Sequence, residues 1–373
     1  MSQFPVLGIV GSRQSGKTTL AKALTKAVAG ESLYLDLENP RDLAKLEEAE
    51  FFLSRQQDKL VILDEIQHRP ELFNLIRSLV DEHRVPGRFL ILGSASPDLL
   101  RDSADSLAGR VAYLELPPLA WDEIKAQISM EQHWLRGGYP DALVPDQPKK
   151  AQRWLKNYLQ TYVQRDLGLL GLNTTPTESA RLFSLLSHLH GELLNYSAVG
   201  RSLGLGAATA KRYLHFLSSS YLIRELPPYF TNTRKRLVRS PKLYIRDSGL
   251  LHYLHRIESI DDLLGRPLAG HSWEGYVIEE IIKKGQEQFD FFFYRTQRGA
   301  ECDLVICENL KPLVALEIKL TNAPRTSRGF YESIKDLKTP HNFILTPQSD
   351  RFPVSENAEA ISFPAFMEFL SGL

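Results

Sequence analysis

Residues 11–18 read GSRQSGKT, and this stretch constrains the fold more than any other part of the chain. An apolar run at 5–10 precedes it, and a run typical of a helix, TTLAKALTKAVA, follows it. The spacing G-x-x-x-x-G-K-[ST] between a strand and a helix predicts a phosphate-binding loop, whose glycines let backbone N–H groups face a phosphate chain. The residues predicted to contact the nucleotide are Gly11, Ser12, Arg13, Gln14, Ser15, Gly16, Lys17, Thr18 and Thr19.

Two motifs predict that the bound groups are ATP and Mg²⁺. Lys17 is placed to reach the β and γ phosphates, and the Thr18 hydroxyl to bind Mg²⁺. The second motif, KLVILDE at 59–65, is an apolar strand that ends in two carboxylates. Beside a phosphate-binding loop this Walker B pattern predicts that Asp64 holds Mg²⁺ through water and that Glu65 polarises the attacking water as a general base. The alternative is a strand that ends in a solvated acidic loop.

Three further apolar runs, separated by helical patterns, predict a parallel α/β sheet. They are SLYLDL (32–37), RFLILG (88–93) and VAYLEL (111–116). Ser94 is predicted to sense the γ-phosphate, with an ordinary turn serine as the alternative. Arg110 is predicted to act as an arginine finger on the nucleotide of a neighbouring subunit, and Arg101 is a weaker candidate for that role. A surface arginine is the alternative for Arg110.

The segments GSRQSGKTTL, LVILDEIQ, LILGSAS, LAGRV and LPPLAWDE together resemble the AAA-type ATPases, near the replication-initiator and archaeal branch. This resemblance implies a P-loop sheet in the order 5-1-4-3-2 within residues 1–125. It also implies a helical lid at 126–176. Arg136 and Arg165 are candidate lid arginines that face the nucleotide, with a structural role as the alternative.

The segment 177–246 has the element order of a winged helix-turn-helix domain. A helical pattern at 178–190 precedes helix, glycine turn, helix and strand at 196–226. Between 201 and 246 there are ten Lys or Arg and one acid, Glu225, a net charge of +9 in a chain whose 45 basic and 45 acidic residues balance. This charge predicts contact with the phosphate backbone of a nucleic acid, most simply DNA, while a protein-contact domain is the alternative. The outward residues of the second helix are predicted to be Lys211, Arg212 and His215.

Residues 247–373 have the element order αβββαβ. The elements are a helix at 271–286, strands at 289–296, 300–307 and 312–320, a helix at 327–338 and a strand at 342–347. Strand alternation places Glu317 and Lys319 on one face and predicts that Asp303 lies close to both. Glu274 lies on the apolar stripe of its helix, where a buried carboxylate needs a metal or another partner.

This constellation resembles the PD-(D/E)XK restriction-endonuclease-like superfamily. The resemblance implies a second Mg²⁺ site held by Asp303, Glu317 and the Ile318 carbonyl, with Glu274 as the helix carboxylate. It also implies that Glu317 and Lys319 are catalytic, Lys319 by activating a water for phosphodiester cleavage. A strand with solvated Glu and Lys side chains is the alternative.

Over its whole length the chain resembles a widespread prokaryotic family of ATP-binding proteins with an N-terminal AAA-type module and a C-terminal region of unknown function. The first hypothesis is an ATP-driven DNA-processing enzyme that works as a homo-oligomer. The second is a nucleotide-switched, DNA-binding regulator whose nuclease-like domain does not cleave. A small-molecule kinase is a third, and it leaves the basic segment unexplained.

Apolar runs and cysteines exclude several other classes. No apolar stretch approaches ~20 residues, so no membrane span is expected. Cys302 and Cys307 have no Cys or His partner at metal spacing, which argues against a zinc site and a disulfide framework. The N-terminal apolar run leads straight into the phosphate-binding loop instead of forming a signal peptide, so we expect a cytoplasmic protein.

Overall fold

The computed structural model describes residues 3–27, 30–94, 106–143, 148–166, 174–230, 237–321 and 323–373. The chain divides into two compact units. The first consists of Met1–Pro118 with His215–Tyr221, and the second of Leu119–Leu214 with Leu222–Leu373.

A five-stranded parallel sheet forms the centre of the first unit. Its strands are β1 (Val6–Gly11), β2 (Ser32–Asp36), β3 (Leu60–Asp64), β4 (Phe89–Ser94) and β5 (Val111–Glu115). They lie in the order β2-β3-β4-β1-β5, which confirms the predicted order. The register pairs Gly11 with Ser94 and Asp36 with Asp64, so the carboxyl ends of the strands meet at one edge. That edge is where open α/β sheets bind ligands.

Helices cover both faces of this sheet. They are α1 (Lys17–Ala27), α2 (Pro40–Lys45), α3 (Ala49–Ser54) and α4 (Leu72–Glu82), with a 3₁₀ turn at Ile66–His68. Leu63 of β3 packs into a core with Phe73 and Ile76 of α4, while Ile62 faces the opposite core, which includes Ala21 of α1. Burial on both faces explains why these strands are continuously apolar instead of alternating.

The second unit begins with short helices and a three-helix segment. The short helices are α5 (Trp121–Ile124), α6 (Met130–Arg136), α7 (Pro140–Leu143) and α8 (Pro148–Tyr158), which continues as a π-helix over Leu159–Asp166. The next helices are α9 (Pro176–His188), α10 (Tyr196–Leu203) and α11 (Ala207–Ser219), the last shared between the units. Two antiparallel strands follow, β6 (Ile223–Leu226) and β7 (Lys242–Ile245). Gly204 ends α10 in the left-handed region, at φ 71°, which permits the tight turn into α11.

A mixed six-stranded sheet forms the rest of the second unit, in the order β12-β13-β11-β10-β9-β8. Its strands are β8 (Asp290–Arg295), β9 (Glu301–Glu308), β10 (Lys311–Ile318), β11 (His341–Thr346), β12 (Phe352–Ser355) and β13 (Ala358–Ser362). The helices are α12 (Ser248–Leu254), α13 (Ile260–Leu264), α14 (Leu268–Gly285), α15 (Arg328–Leu337) and α16 (Phe363–Ser371). The core on one face contains residues of α14 and α16, and the core on the other contains residues of α15.

The described helices of the predicted lid at 126–176 belong to the second unit. The Trp134 indole N–H donates to the Ser272 hydroxyl at 3.0 Å, and the Trp134 ring lies 5.2 Å from that of Trp273. Gly138 N donates to Asp247 Oδ2 at 2.9 Å. Burying the large aromatic surface of Trp134 against α14 is favourable and fixes this segment to the C-terminal helices.

The connection between β6 and β7, where a winged helix-turn-helix domain has its wing, pairs with another strand. Its described ends lie along β8, the edge strand of the six-stranded sheet. Tyr229 N donates to Phe293 O at 2.7 Å, Phe293 N donates to Pro227 O at 3.0 Å, and Val238 N donates to Arg295 O at 3.0 Å. An edge strand leaves backbone groups unpaired, and this connection pairs them. Residues 231–236 lie outside the described residues.

Candidate functional site

The phosphate-binding loop follows directly from β1 and has the conformation that its glycines allow. Gly16 has φ 103°, in the region that favours glycine. A Cβ on Gly11 would lie 2.3 Å from the Leu116 carbonyl oxygen, so only glycine fits where the loop leaves the sheet. Gln14 also adopts a left-handed conformation, at φ 63°, which is uncommon for a residue with a side chain.

Lys17 is the first residue of α1, and its side chain lies inside the curve of the loop. Its Nζ donates to the carbonyl oxygens of Ser12 at 2.8 Å and of Gly11 at 3.2 Å. Burial lowers the pKa of Lys17 to about 8, although the charges of Glu65 and Asp64 act to raise it. Lys17 therefore keeps its positive charge at neutral pH, which suits an anionic ligand.

Two buried hydroxyls in the loop lack a partner among the described residues. The Oγ atoms of Ser12 and Ser15 are inaccessible and accept or donate no hydrogen bond there. Unpaired buried polar atoms are costly, and such groups are enriched where a ligand completes them. Phosphate oxygens fit these hydroxyls and the loop N–H groups.

The predicted metal residues of the first unit come together at the carboxyl end of β3. The Thr18 hydroxyl donates to Asp64 Oδ2 at 2.7 Å, and the Tyr34 hydroxyl donates to the same oxygen at 2.6 Å. Asp64 Oδ1 accepts from Glu65 N at 3.0 Å. A hydroxyl and a carboxylate side by side are hard oxygen donors of the kind that Mg²⁺ takes together with waters and phosphate, so these residues fit that ion.

Glu65 lies one residue beyond the strand, in a left-handed conformation at φ 57°. The Gln67 side-chain amide donates to Glu65 Oε2. A glutamate held in this sparsely populated region is strained, and such strain clusters at functional sites. Glu65 follows Asp64 directly in the chain, and its charge acts to raise the pKa of Lys17. Its role as general base stays a prediction.

The remaining residues predicted to contact the nucleotide have no described contact with Lys17, Thr18 or Asp64. Ser94 ends β4 next to Gly11 in the register, and its side chain lies outside the described atoms, as do Arg101 and the side chain of Arg165. Arg110 forms a two-pronged ion pair with Asp81, at 2.7 and 2.8 Å. Arg136 Nη1 donates to Leu143 O at 3.4 Å within the second unit.

In the second unit the charged residues around Glu274 surround a lysine. Lys242 Nζ lies 3.0 Å from Glu274 Oε1, 3.3 Å from Glu301 Oε1 and 3.5 Å from Asp303 Oδ1, and its side chain is only 4% exposed. The Tyr244 hydroxyl donates to Glu274 Oε1 at 2.6 Å. We call Lys242, Glu274, Glu301 and Asp303 the lysine–carboxylate cluster.

Burial and charge act in opposite directions on the titration of this cluster. Burial and the charge of Glu274 raise the pKa of Asp303 to about 7. Burial also acts to raise the pKa of Glu274, but the charge of Lys242 and the hydrogen bonds from Tyr244 and Lys242 together outweigh it, so the net shift of the pKa is downward. For Lys242, burial acts to lower the pKa, and the groups around it, Tyr244 and Glu274 foremost, raise it. The ammonium therefore stays charged among these carboxyl groups.

The predicted C-terminal Mg²⁺ residues are Asp303, Glu317 and the Ile318 carbonyl, with Glu274 on the helix, and the structure divides their side chains between two sets of contacts. Asp303 Oδ2 accepts from Ile318 N at 2.9 Å, next to Glu317 in the chain. Glu317 Oε2 accepts from Ser327 N at 3.2 Å, and Lys319 Nζ lies 3.3 Å from Glu317 Oε1, so both side chains contact the loop before α15 or each other. Asp303 lies near Lys242, whose ammonium also forms an ion pair with Glu274. Within the described residues, no group of three or more His, Cys, Asp or Glu side chains is arranged to hold a metal ion.

A β-bulge in β9 accounts for the separate contacts of Asp303 and Glu317. The register of β8 with β9 shifts between Phe292 and Tyr294, which leaves one extra residue in β9. Cys302 therefore packs on the α15 face, and Asp303 reaches Lys242. β10 has its own register shift between Pro312 and Val314. Beyond that shift, Glu317 lies between two residues of the α14 core, Leu316 and Ile318, so its side chain takes the other face.

Much of the basic segment is paired with acids of the C-terminal elements. Arg246 Nε lies 3.0 Å from Glu279 Oε2, and Arg224 Nη2 donates to the same oxygen at 2.9 Å. Burial acts to raise the pKa of Glu279, but the two guanidiniums outweigh it and lower the pKa to about 2. Of the ten basic residues, Arg224, Lys242 and Arg246 are thus neutralised, and 234–236 lie outside the described residues. The exposed ones are Arg201, Lys211, Arg212 and Arg239.

Two residues of these sites were not assigned to them from the sequence. Tyr34 sits in an ordinary strand pattern, and only the register that pairs β2 with β3 brings it near Asp64. Lys242 is one of the ten basic residues of 201–246, the segment that the sequence predicts to contact nucleic acid. Its position at the head of a strand of buried residues, KLYI, was the available signal that its charge needs a buried partner.

Three family models match successive parts of the chain. An AAA domain model matches residues 3–125. Two domains of unknown function, DUF8612 and DUF4143, match residues 127–261 and 269–366. The first unit, with its phosphate-binding loop, is therefore an AAA-type nucleotide-binding ATPase domain. The other two models carry no function, and they support no nuclease assignment.

Two mycobacterial proteins align with almost the whole chain. They are the uncharacterized proteins Rv2008c of Mycobacterium tuberculosis and Mb2031c of Mycobacterium bovis. Each is 39% identical over 364 residues, which cover 97% of this chain and 80% of the relative. The chain belongs to their family.

Among the solved structures that match is the FIGL-1 AAA domain in complex with ADP. The match has 10% sequence identity and covers 57% of this chain and 71% of that one, with a TM-score of 0.23. A TM-score this low adds nothing to the assignment of the first unit. Within the described residues, no helix combines the length and the apolar character that crossing a membrane requires.

Proposed function

We propose that this family member is a nucleotide-switched AAA-type ATPase whose second unit binds nucleic acid without cleaving it. The observation that carries the proposal is the contact between Thr18 and Asp64 at 2.7 Å, beside the buried ammonium of Lys17. These are the two motifs of an ATP site, and they are brought together from distant parts of the chain.

Each residue of this site has a separate task in the proposed hydrolysis. Lys17 and the loop N–H groups bind the phosphates, and the hydroxyls of Ser12 and Ser15 complete their contacts. Thr18 and Asp64 would hold Mg²⁺, which neutralises charge on the phosphates when bound. Glu65 accepts a proton from the attacking water or orients it.

The proposal favours binding over cleavage because of the lysine–carboxylate cluster. Lys242 already supplies one positive charge at the point where Glu274 and Asp303 converge, and a divalent cation there would be repelled by the ammonium. Glu317 instead contacts Ser327 N and Lys319. The C-terminal region then serves as a support for the helices that meet nucleic acid.

The exposed face of α11 is the proposed nucleic-acid contact. Lys211 and Arg212 lie on that helix and are both exposed, as is Arg201 on α10. Basic side chains on one exposed helix face attract phosphate and release counterions on binding. The proposed ligand is DNA.

Charge reversal on α11 tests this contact. We expect the double variant Lys211→Glu, Arg212→Glu to bind DNA at least about tenfold more weakly, and native binding to weaken steeply as salt increases. Fluorescence anisotropy with labelled duplex and single-stranded DNA measures both effects. The matched control reverses two exposed lysines of the C-terminal sheet region, Lys311→Glu and Lys335→Glu, and keeps native affinity. An equal loss of DNA affinity in both double variants, or no loss in either, would show that α11 is not the contact site.

Arg110 is proposed to act on the ATP of a neighbouring subunit in a homo-oligomer. We expect Arg110→Ala to lower ATP turnover by at least about tenfold. Mixing it with Lys17→Ala subunits restores part of the activity, because each subunit supplies the group that the other lacks. Asp81→Asn removes the partner of Arg110 and keeps the arginine, so it retains turnover. Full activity of Arg110→Ala in a protein that stays monomeric with saturating ATP would contradict the finger.

A further inference from the structure

Tyr34 connects the sheet with the magnesium-binding residues of the ATP site. It lies on β2, opposite Ile62 in the register with β3, and its hydroxyl reaches Asp64 Oδ2 at 2.6 Å. Its ring packs against the core on the α1 side of the sheet. Lys22 of α1 lies 5.2 Å from the centre of that ring. Tyr34 thus contacts both the helix that carries Thr18 and the strand that carries Asp64.

Within the part of the chain that the structure describes, the hydrogen bonds to Asp64 leave one acceptor position open. An ionised carboxylate accepts at about four positions, two on each oxygen. The hydroxyls of Thr18 and Tyr34 take two positions on Oδ2, and Glu65 N takes one on Oδ1. The remaining position lies on Oδ1. A water bound to Mg²⁺ would donate to it, as Mg²⁺ sites that keep their waters require.

We propose that Tyr34 is a positioning residue that fixes the Asp64 carboxylate for a magnesium–nucleotide complex. This inference rests on the proposed ATP site. Without the Tyr34 hydroxyl, Oδ2 has a free acceptor position and the carboxylate can turn to offer either oxygen to the water of the metal ion. The carboxylate is then no longer held in one orientation before binding. The complex must order it on binding, which lowers the affinity.

The substitution Tyr34→Phe isolates this role because it removes the hydroxyl and keeps the ring that packs against the sheet. We expect the affinity for a non-hydrolysable ATP analogue with Mg²⁺ to fall about tenfold, the size of one hydrogen bond to a charged group. In EDTA the affinity for the same analogue stays at the wild-type value. Isothermal titration calorimetry measures both affinities, and their ratio is a quantity that a general loss of packing would not change.

Two further variants separate the possible outcomes. Lys17→Ala lowers affinity in both conditions, and Tyr331→Phe, an exposed tyrosine of the second unit, changes neither. A Tyr34→Phe protein that keeps the wild-type ratio, or loses affinity equally in both conditions, overturns the positioning role while the ATP site stands. A wild type that binds the analogue without any advantage from Mg²⁺ also overturns it. A wild type that binds no analogue in either condition contradicts the proposed function and this inference together.

Discussion

Replacing Glu65 by Gln reduces ATP turnover by about 100-fold or more while ATP binding is retained. The amide is similar in size and its oxygen can still accept from the Gln67 side chain, but it cannot take a proton from water. Positioned general bases contribute effects of this size. Turnover is measured as phosphate release with saturating ATP and Mg²⁺, and binding by calorimetry on the same preparation.

Two comparisons make the Glu65 result specific. Lys17→Ala loses binding as well as turnover, because it removes the charge that meets the phosphates. Glu71→Gln, an exposed carboxyl a few residues further along the chain, keeps native turnover. Hydrolysis by Glu65→Gln at the native rate would show that another group activates the water.

The second large effect is expected at the lysine–carboxylate cluster. Lys242→Met leaves Glu274 and Asp303 buried without their cation. Removing one partner of a buried ion pair typically costs about 3–5 kcal/mol, since an uncompensated charge remains. We expect the unfolding transition of the second unit to lose stability by that amount at neutral pH, measured by urea denaturation.

The same experiment distinguishes a lysine-filled cluster from a metal site. Lys335→Met, at an exposed position of α15, is the matched control and changes stability by less than about 0.5 kcal/mol. Without nucleotide, Mn²⁺ leaves the stability of the second unit unchanged. A loss under about 1 kcal/mol in Lys242→Met contradicts the account. So does stabilisation by Mn²⁺ that Asp303→Asn abolishes.

The first unit was largely predictable because its signals are local. The phosphate-binding loop, the strand before it and the helix after it are contiguous, and glycine and lysine positions within eight residues define the site. The sheet order followed from the resemblance to AAA-type ATPases, and the structure has that order. The Tyr34–Asp64 contact was not predictable, because it depends on the register of two strands and carries no motif.

The second unit was less predictable because its chemistry depends on long-range pairing. The extra residue in β9 interrupts strict alternation next to Asp303, whose carboxylate contacts Lys242 and Ile318 N. The net charge of residues 201–246 does not distinguish buried basic side chains from exposed ones. Arg224 and Arg246 in fact meet Glu279, which is distant in sequence, and burial of such a carboxylate is stable only with partners.

The central claim is that ATP hydrolysis and nucleic-acid binding are coupled in this chain. Its most direct test is the ATP hydrolysis rate of the wild type with Mg²⁺, alone and with single-stranded, duplex and branched DNA, followed by a denaturing gel of the same samples. We predict hydrolysis that needs Mg²⁺ and is absent in Lys17→Ala, a rate that at least one of these DNAs changes, and DNA strands recovered at full length. A protein that hydrolyses no ATP, whose rate no DNA alters, or that returns cleaved strands would contradict the account.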